Sequence, residues 1–371
     1  IDESTVSLLR LCDGTRTRKD ILQHLSVEGG EPVEAFEDDF DEFVGYLVGE
    51  GVLEWVEEPE YVEPLYKRDR PSAISIDVTS ACNLHCPFCQ VDAGAPCDDE
   101  LTLDDIIPFV EQVKRLKPTP FAISGGEPLL KKEMVLYMVE QLSPIREMVV
   151  TVFTNGTVVT KDYAQELYDA GLRIARVSVD GHTEQLHDAI RGKGAFKKTM
   201  QGIEYLREVG IQVDVLCVIS RMNYQYMREI KEFISQAGDS YGIYNVVPAG
   251  RAVNSGLLLT PEEIFNVKMV LTNVEKIETG VSPRNRCNAG ETIYVASNGD
   301  IFPCLYLNFP EFKVGNIREN DLTEIYNTDI MQDILELTVD DIEACRNCDV
   351  RYYCGGACRG LAYSSGGSLY A

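Results

Sequence analysis

The sequence predicts an α/β fold: a partial (β/α)6 barrel preceded by a winged-helix-like module and followed by a cysteine-rich extension. Three observations predict it. Six β-rich runs alternate with helical patterns between residues 74 and 278, as a parallel sheet with right-handed crossovers requires. Polar, glycine-bearing interruptions sit at the ends of those runs, where the sites of such folds gather. Most of the twelve cysteines fall into two groups, 82–97 and 287–358.

Composition narrows the function classes. With 44% apolar and 25% charged residues, the 371-residue chain has an ordinary globular balance. Its net charge of −26 argues against a nucleic-acid partner. No apolar run reaches the eighteen residues of a membrane span, and no signal peptide opens the chain. The expected location is therefore the cytoplasm, where twelve cysteines point to metal or redox chemistry. The chain opens without Met, which reads as a start inside a longer gene product. The expected domains are 1–65, 66–280 and 281–371.

Residues 1–65 carry 18 acidic and 4 basic residues, a net of −14. A short helix is expected over 4–12, with Val6, Leu8 and Leu9 inward and Asp13-Gly14 closing it. Thr17 can cap a second helix, with Asp20 completing the box. Glu31-Pro32 opens a third, in which Val33, Phe36, Phe40, Phe43, Val44 and Leu47 recur at helical spacing. VLEWVEE then reads as a short strand. The segments LCDG and VGYLVGEGVLE resemble the tail of a PqqD-like peptide-recognition element. Cys12 reads as a small core residue. Residues 57–72, with three prolines and a charge flip, read as a linker.

The barrel strands are expected at 74–78, 121–124, 148–153, 174–180, 213–219 and 243–247. Helices are expected near 102–116, 133–142, 161–170, 195–209, 223–237 and 261–278. TSACNLHCPFCQ follows strand 1, GGEP strand 2, TNG strand 3 and PAGR strand 6, while SVDG ends strand 4. Cys217 lies inside an apolar strand and reads as core. The spacing Cys82-x3-Cys86-x2-Cys89 suits three corners of a [4Fe–4S] cube. Spacing alone leaves open a zinc site with Cys97 as fourth ligand.

With these motifs in place, residues 74–358 resemble the radical S-adenosylmethionine superfamily, whose signature is this cysteine triplet with an aromatic, Phe88, before the third cysteine. The resemblance implies that Cys82, Cys86 and Cys89 bind three irons, and that S-adenosylmethionine chelates the fourth. One electron then cleaves the cofactor to methionine and a 5′-deoxyadenosyl radical, while the protein orients and shields the reactants. It also implies cofactor contacts from Ser124, Gly125, Gly126, Glu127, Asn155, Ser178, Asp180 and Arg191. Asp180 and Ser178 would meet a ribose, and Arg191 the methionine carboxylate.

The tail opens on a hairpin, IYVASNGDIFPCLY, turning at Asn298-Gly299. Cys345-x2-Cys348-x5-Cys354-x3-Cys358 follows, a run that taken alone also suits a zinc knuckle. With Cys287 and Cys304 the spacing resembles the SPASM extension of radical S-adenosylmethionine enzymes. That resemblance implies one auxiliary [4Fe–4S] cluster on Cys287, Cys304 and Cys358, and a second on Cys345, Cys348 and Cys354. The seventh cysteine of the pattern is absent up to Ala371, which reads as a chain cut short or an open ligand position. Leu305 stands where sulfatase-maturing relatives have a basic aspartate.

The functional expectation is a radical enzyme that abstracts hydrogen from a ribosomally made precursor peptide and forms a thioether or carbon–carbon crosslink. Its partners would be the leader peptide and a reductant such as flavodoxin or ferredoxin. Porphyrin or heme side-chain chemistry is the alternative enzyme. A non-catalytic electron carrier or zinc scaffold is the alternative from another class; the GGEP, SVDG and Arg191 set argues against it.

Overall fold

The computed structural model describes residues 8–9, 11–51, 53–57, 69–271, 284–348 and 351–370. Six parallel strands form the body: β1 (Ala73–Asp77), β2 (Phe121–Ser124), β3 (Val150–Thr154), β4 (Ile174–Ser178), β5 (Gln212–Ile219) and β6 (Ser240–Asn245). They lie in sequence order, as successive right-handed crossovers dictate. All six expected strands are present, with ends shifted by at most three residues.

The hairpin beyond the barrel joins the same sheet. β7 (Thr292–Val295) pairs parallel to β1, and β8 (Asp300–Phe302) and β9 (Gly315–Asn316) continue antiparallel. The nine-strand order is β6-β5-β4-β3-β2-β1-β7-β8-β9. Asn298-Gly299 makes the turn, and Gly299 takes φ +85°, which glycine adopts without strain.

Helices cover one face of the sheet. Ile74, Ile76 and Val78 of the first strand segment, with Val213, Val215 and Cys217 of β5, pack beneath Ile106, Phe109, Val110 and Val113 of α3 (Leu103–Leu116) and Ile230 and Ile234 of α8 (Met227–Ala237) in one continuous core. Thr102 caps α3 in a capping box with Asp105. Because strand side chains alternate, the other face carries Ser75 and Asp77 of β1, and the register puts Ser124, Tyr294, Phe153, Arg176 and Asp214 on that same open face. One element escapes the sequence pattern: α6 (Glu184–Arg191), capped by Thr183, lies before the expected helix α7 (Ala195–Glu208).

The N-terminal module has its own core of Leu8, Leu11, Ile21, Leu22, Phe40 and Val44. Thr17 and Asp20 form the expected capping box on α1 (Arg18–Gly29). The third helix begins later than Pro32 suggests: a 3-10 turn over Val33–Ala35 precedes α2 (Glu37–Gly49). The strand expected in VLEWVEE is not formed over the described residues 53–57. No described strand lies in this module to pair with it, and an unpaired run forms no ladder. Val6 and most of the linker, 58–68, lie outside the described residues.

Candidate active site at the carboxyl ends of the strands

The loop after β1 is held in shape by its own backbone. The Cys82 amide donates to the Gly94 carbonyl at 3.0 Å, and the Gly94 amide to Ser80 at 2.9 Å. The Leu84 and Ala93 amides point at the Cys82 and Cys89 sulfurs, both at 3.4 Å. Burial pushes the Cys82 and Cys86 thiols up, and in Cys86 the Arg191 guanidinium acts against that rise.

GGEP locks the base of this loop. The Gly126 amide donates to Thr79 at 2.7 Å and the Glu127 amide to Ala81 at 2.8 Å. A Cβ at Gly125 would sit 2.5 Å from the Thr79 carbonyl oxygen, and one at Gly126 would collide with the Ala81 carbonyl. The bareness of the two glycines lets two stretches of main chain touch.

Glu127, expected at the cofactor, is turned fully inward. Its carboxylate accepts from Thr154 Oγ1 at 2.7 Å, the Leu129 amide at 3.1 Å and the Asn155 amide at 2.7 Å. Burial nevertheless raises its pKa to about 7. Glu127 thereby ties the end of β2 to the end of β3 and sets Asn155, whose side-chain amide donates to Asn83 at 2.9 Å and lies 4.0 Å from Cys82 Sγ.

Asp180 is likewise spent within the protein. Fully buried, it accepts from Arg191 Nε at 2.6 Å and from the Val218 amide at 2.8 Å. Its two oxygens thereby tie the end of β4 to β5 and to Arg191. Arg191, at the end of α6, is held beside Cys86 by that ion pair. Ser178 ends β4 on the open face, and Ser124 hydrogen-bonds Asp77. Phe88 is buried in an apolar pocket with Ile190, Val246 and Ala252.

Arg251 is the residue that sequence reasoning left without a role, although it stands in the PAGR motif. Its Nε donates to the Cys86 carbonyl at 2.8 Å, and its Nη1 to Ala93 O at 2.7 Å and Asp92 Oδ1 at 2.8 Å. Its amide donates to Cys89 O at 3.0 Å. The segment after β6 thus clamps the cysteine loop.

In the tail, Cys287 and Cys304 pack in one apolar cluster with Leu307, Ile334 and Tyr363. Burial pushes Cys304 up to about 12; the Tyr306 and Leu307 amides favour its thiolate, and Cys287 and Cys358 both act on it. Cys287 and Cys358 thus lie within electrostatic reach of Cys304. Cys345 and Cys348 lie on successive turns, with the Cys348 amide donating to Cys345 O at 2.9 Å, and Cys354 is exposed. Cys97 is turned to the hairpin, 3.5 Å from Ser297 Oγ. Cys217 is buried in β5. Among the described residues no three metal-ligating side chains close around a single ion.

Against this geometry stand the comparisons with known proteins. Residues 76–234 match the family described as the radical SAM superfamily, and residues 287–349 match SPASM, an iron–sulfur cluster-binding domain. The chain thus carries a radical SAM domain and, after it, a SPASM domain. Among its relatives, the AdoMet-dependent heme synthase of Methanosarcina barkeri is 26% identical over 334 residues, 80% of this chain and 93% of that one. The mycofactocin maturase MftC of Mycobacterium tuberculosis is 24% identical over 319 residues, 80% of this chain and 81% of that one. In fold it is similar to native anSMEcpe with bound AdoMet, with a TM-score of 0.63 and 19% identity over 80% of this chain and 94% of the other. Streptococcus suis SuiB gives 0.64 and 17% over 100% and 91%.

The residues present fit iron–sulfur ligation by this radical SAM enzyme. The Leu84 and Ala93 amides directed at the Cys82 and Cys89 sulfurs are the kind of donor that surrounds cluster-ligating sulfurs. No helix among the described residues is long and apolar enough to cross a membrane.

Proposed function

We propose that this protein modifies a ribosomally made precursor peptide, abstracting a hydrogen and forming a thioether or carbon–carbon crosslink. Cys82, Cys86 and Cys89 would hold one [4Fe–4S] cluster, Cys287, Cys304 and Cys358 a second, and Cys345, Cys348 and Cys354 a third. When bound, the first cluster and S-adenosylmethionine supply one-electron cleavage to a 5′-deoxyadenosyl radical. The chain's own residues do the rest: Arg251 and the GGEP backbone fix the cysteine loop, and Asp180 aims Arg191 at the cofactor's carboxylate. Phe88, Val246 and Ala252 exclude water beside it.

One observation carries the peptide reading. The N-terminal module has a separate core and a cavity of about 300 Å³ beside the run 53–57, where Trp55 is 59% exposed. Phe40, Val44 and Val48 floor it, and Arg16 and Arg18 edge it. An extended leader fits such a groove by main-chain pairing with the run 53–57. The fold likeness to SuiB, in a structure bound to its precursor peptide SuiA, spans 97% of this chain and supports the reading.

The heme-type reading is favoured by the slightly higher identity of the heme synthases. Porphyrin propionates call for cations, however. Among the described residues on the open face of the strands, Arg176 is the cation, and Asp214 already lies 3.7 Å from it. The deciding experiment offers the reduced, reconstituted enzyme the small peptide encoded beside its gene and, separately, a porphyrin. Mass loss in the peptide by two hydrogens supports the maturase; decarboxylated porphyrin with untouched peptide overturns it.

A further inference from the structure

Beside the cysteine loop lies a cavity of about 410 Å³ between the end of β1 and the hairpin, lined by Asp77, Tyr294, Cys97, Asp98, Asp99 and Asn308 among others. Asp77 is 95% buried, the complement of its 5% exposure, yet it opens onto this space from the open face of the sheet. Tyr294 Oη donates to Asp77 Oδ2 at 2.6 Å across 217 residues of chain, and Ser124 hydrogen-bonds the same carboxyl group.

Three other carboxylates near the strand ends also accept from the protein's own donors. Asp180 serves Arg191 and Val218, Glu127 holds three donors, and Asp214 takes Ser240 Oγ at 2.6 Å and Gln212 Nε2 at 3.0 Å. His187, on α6, is buried, its Nδ1 accepting from the Asp180 amide at 3.3 Å.

We propose that Asp77 is the catalytic base that takes the proton released when the crosslink forms, with Tyr294 positioning its carboxylate. This rests on the peptide reading. A substrate carbon radical that joins a thiol forms one C–S bond, breaks one S–H bond and sheds one proton and one electron; joining a carbon breaks a C–H bond instead. The proton goes to the Asp77 carboxylate. The electron goes to a one-electron acceptor of the iron–sulfur class. Burial raises the Asp77 pKa to about 6, against the Tyr294 and Ser124 hydrogen bonds. Those two residues face it from β7 and β2, and Asp98, Asp99 and Cys97 face it across the cavity.

The test uses the full chain in two forms. In the reconstituted enzyme acting on its peptide, crosslinked product per 5′-deoxyadenosine should fall about 100-fold in Asp77→Asn and recover in part in Asp77→Glu. In the metal-free protein, infrared difference spectra of wild type against Asp77→Asn should show a carboxylic band that titrates near neutrality. Tyr294→Phe removes a donor to the ionised form, so the midpoint should move to higher pH. A ratio within twofold of wild type in Asp77→Asn, or a midpoint that Tyr294→Phe leaves in place, overturns the role of Asp77 alone. A wild type that ignores the peptide and decarboxylates a porphyrin overturns the peptide reading, and the Asp77 role with it.

Discussion

The Arg251 guanidinium reaches back across 165 residues to donate to the Cys86 carbonyl at 2.8 Å, so the segment after the last barrel strand fastens the loop that follows the first. Arg251→Ala leaves the Cys86 and Ala93 carbonyls without this donor. The expected cost is about 2–3 kcal/mol of stability, from lost hydrogen bonds to a charged group. Thermal unfolding of the metal-free protein measures it, and iron content after reconstitution should fall with it. An unchanged melting curve and iron content would remove the clamp.

Gly126→Ala tests the contact between GGEP and the cysteine loop. The added methyl meets the Ala81 main chain, which has no flexible end to swing away. Overpacking of about 1–3 kcal/mol is expected. 5′-Deoxyadenosine formation should drop further than stability does, because the loop itself is displaced.

Glu127 gives a signed pH dependence. Its folded pKa, about 7, lies above the ordinary 4.5, so protonation favours the fold. That stabilisation is complete below pH 4.5 and is lost as pH rises through about 7, a span worth about 3 kcal/mol at most. Glu127→Gln should flatten the fall in stability between these limits while losing the Asn155 amide bond. Denaturant unfolding at a series of pH values reads both effects. An equal slope in wild type and variant would mean that Glu127 is ionised throughout.

The cysteine sets separate by iron count. Reconstituted wild type should hold about twelve irons, and the triple variant at Cys82, Cys86 and Cys89 about eight, with no 5′-deoxyadenosine formed. About four irons with one stoichiometric zinc would assign Cys345, Cys348, Cys354 and Cys358 to a knuckle instead, which leaves Cys287 and Cys304 as stray thiols.

Removal of residues 1–65 should leave 5′-deoxyadenosine formation and lower peptide binding. The module's core is separate from that of the barrel, and every proposed ligand lies beyond residue 80. Its net of −14 favours a basic leader, so calorimetric affinity in the full chain should weaken with salt. Unchanged modification by the shortened protein would end the recognition role.

By itself the amino-acid sequence determined the strand–helix alternation, the Thr17 cap, the Asn298-Gly299 hairpin and the spacing of the cysteines. Each follows from side-chain periodicity, turn chemistry or ligand reach within about a dozen residues, so local order is enough to read it. The rim motifs were legible for the same reason, as polar breaks at strand ends. Tertiary structure alone decided what each rim carboxylate faces. Asp180 and Glu127 are both acidic residues at strand ends in the sequence; only the fold shows that one accepts from Arg191 and the other from Thr154 and Asn155, donors that neighbouring strand ends bring within hydrogen-bond reach. VLEWVEE shows the converse: its alternation is strand-like, but a strand needs a partner that no described residue of the module supplies. Asp77 meets Tyr294 only because the hairpin adds itself to the edge of β1, a pairing of residues 217 apart that no local pattern encodes.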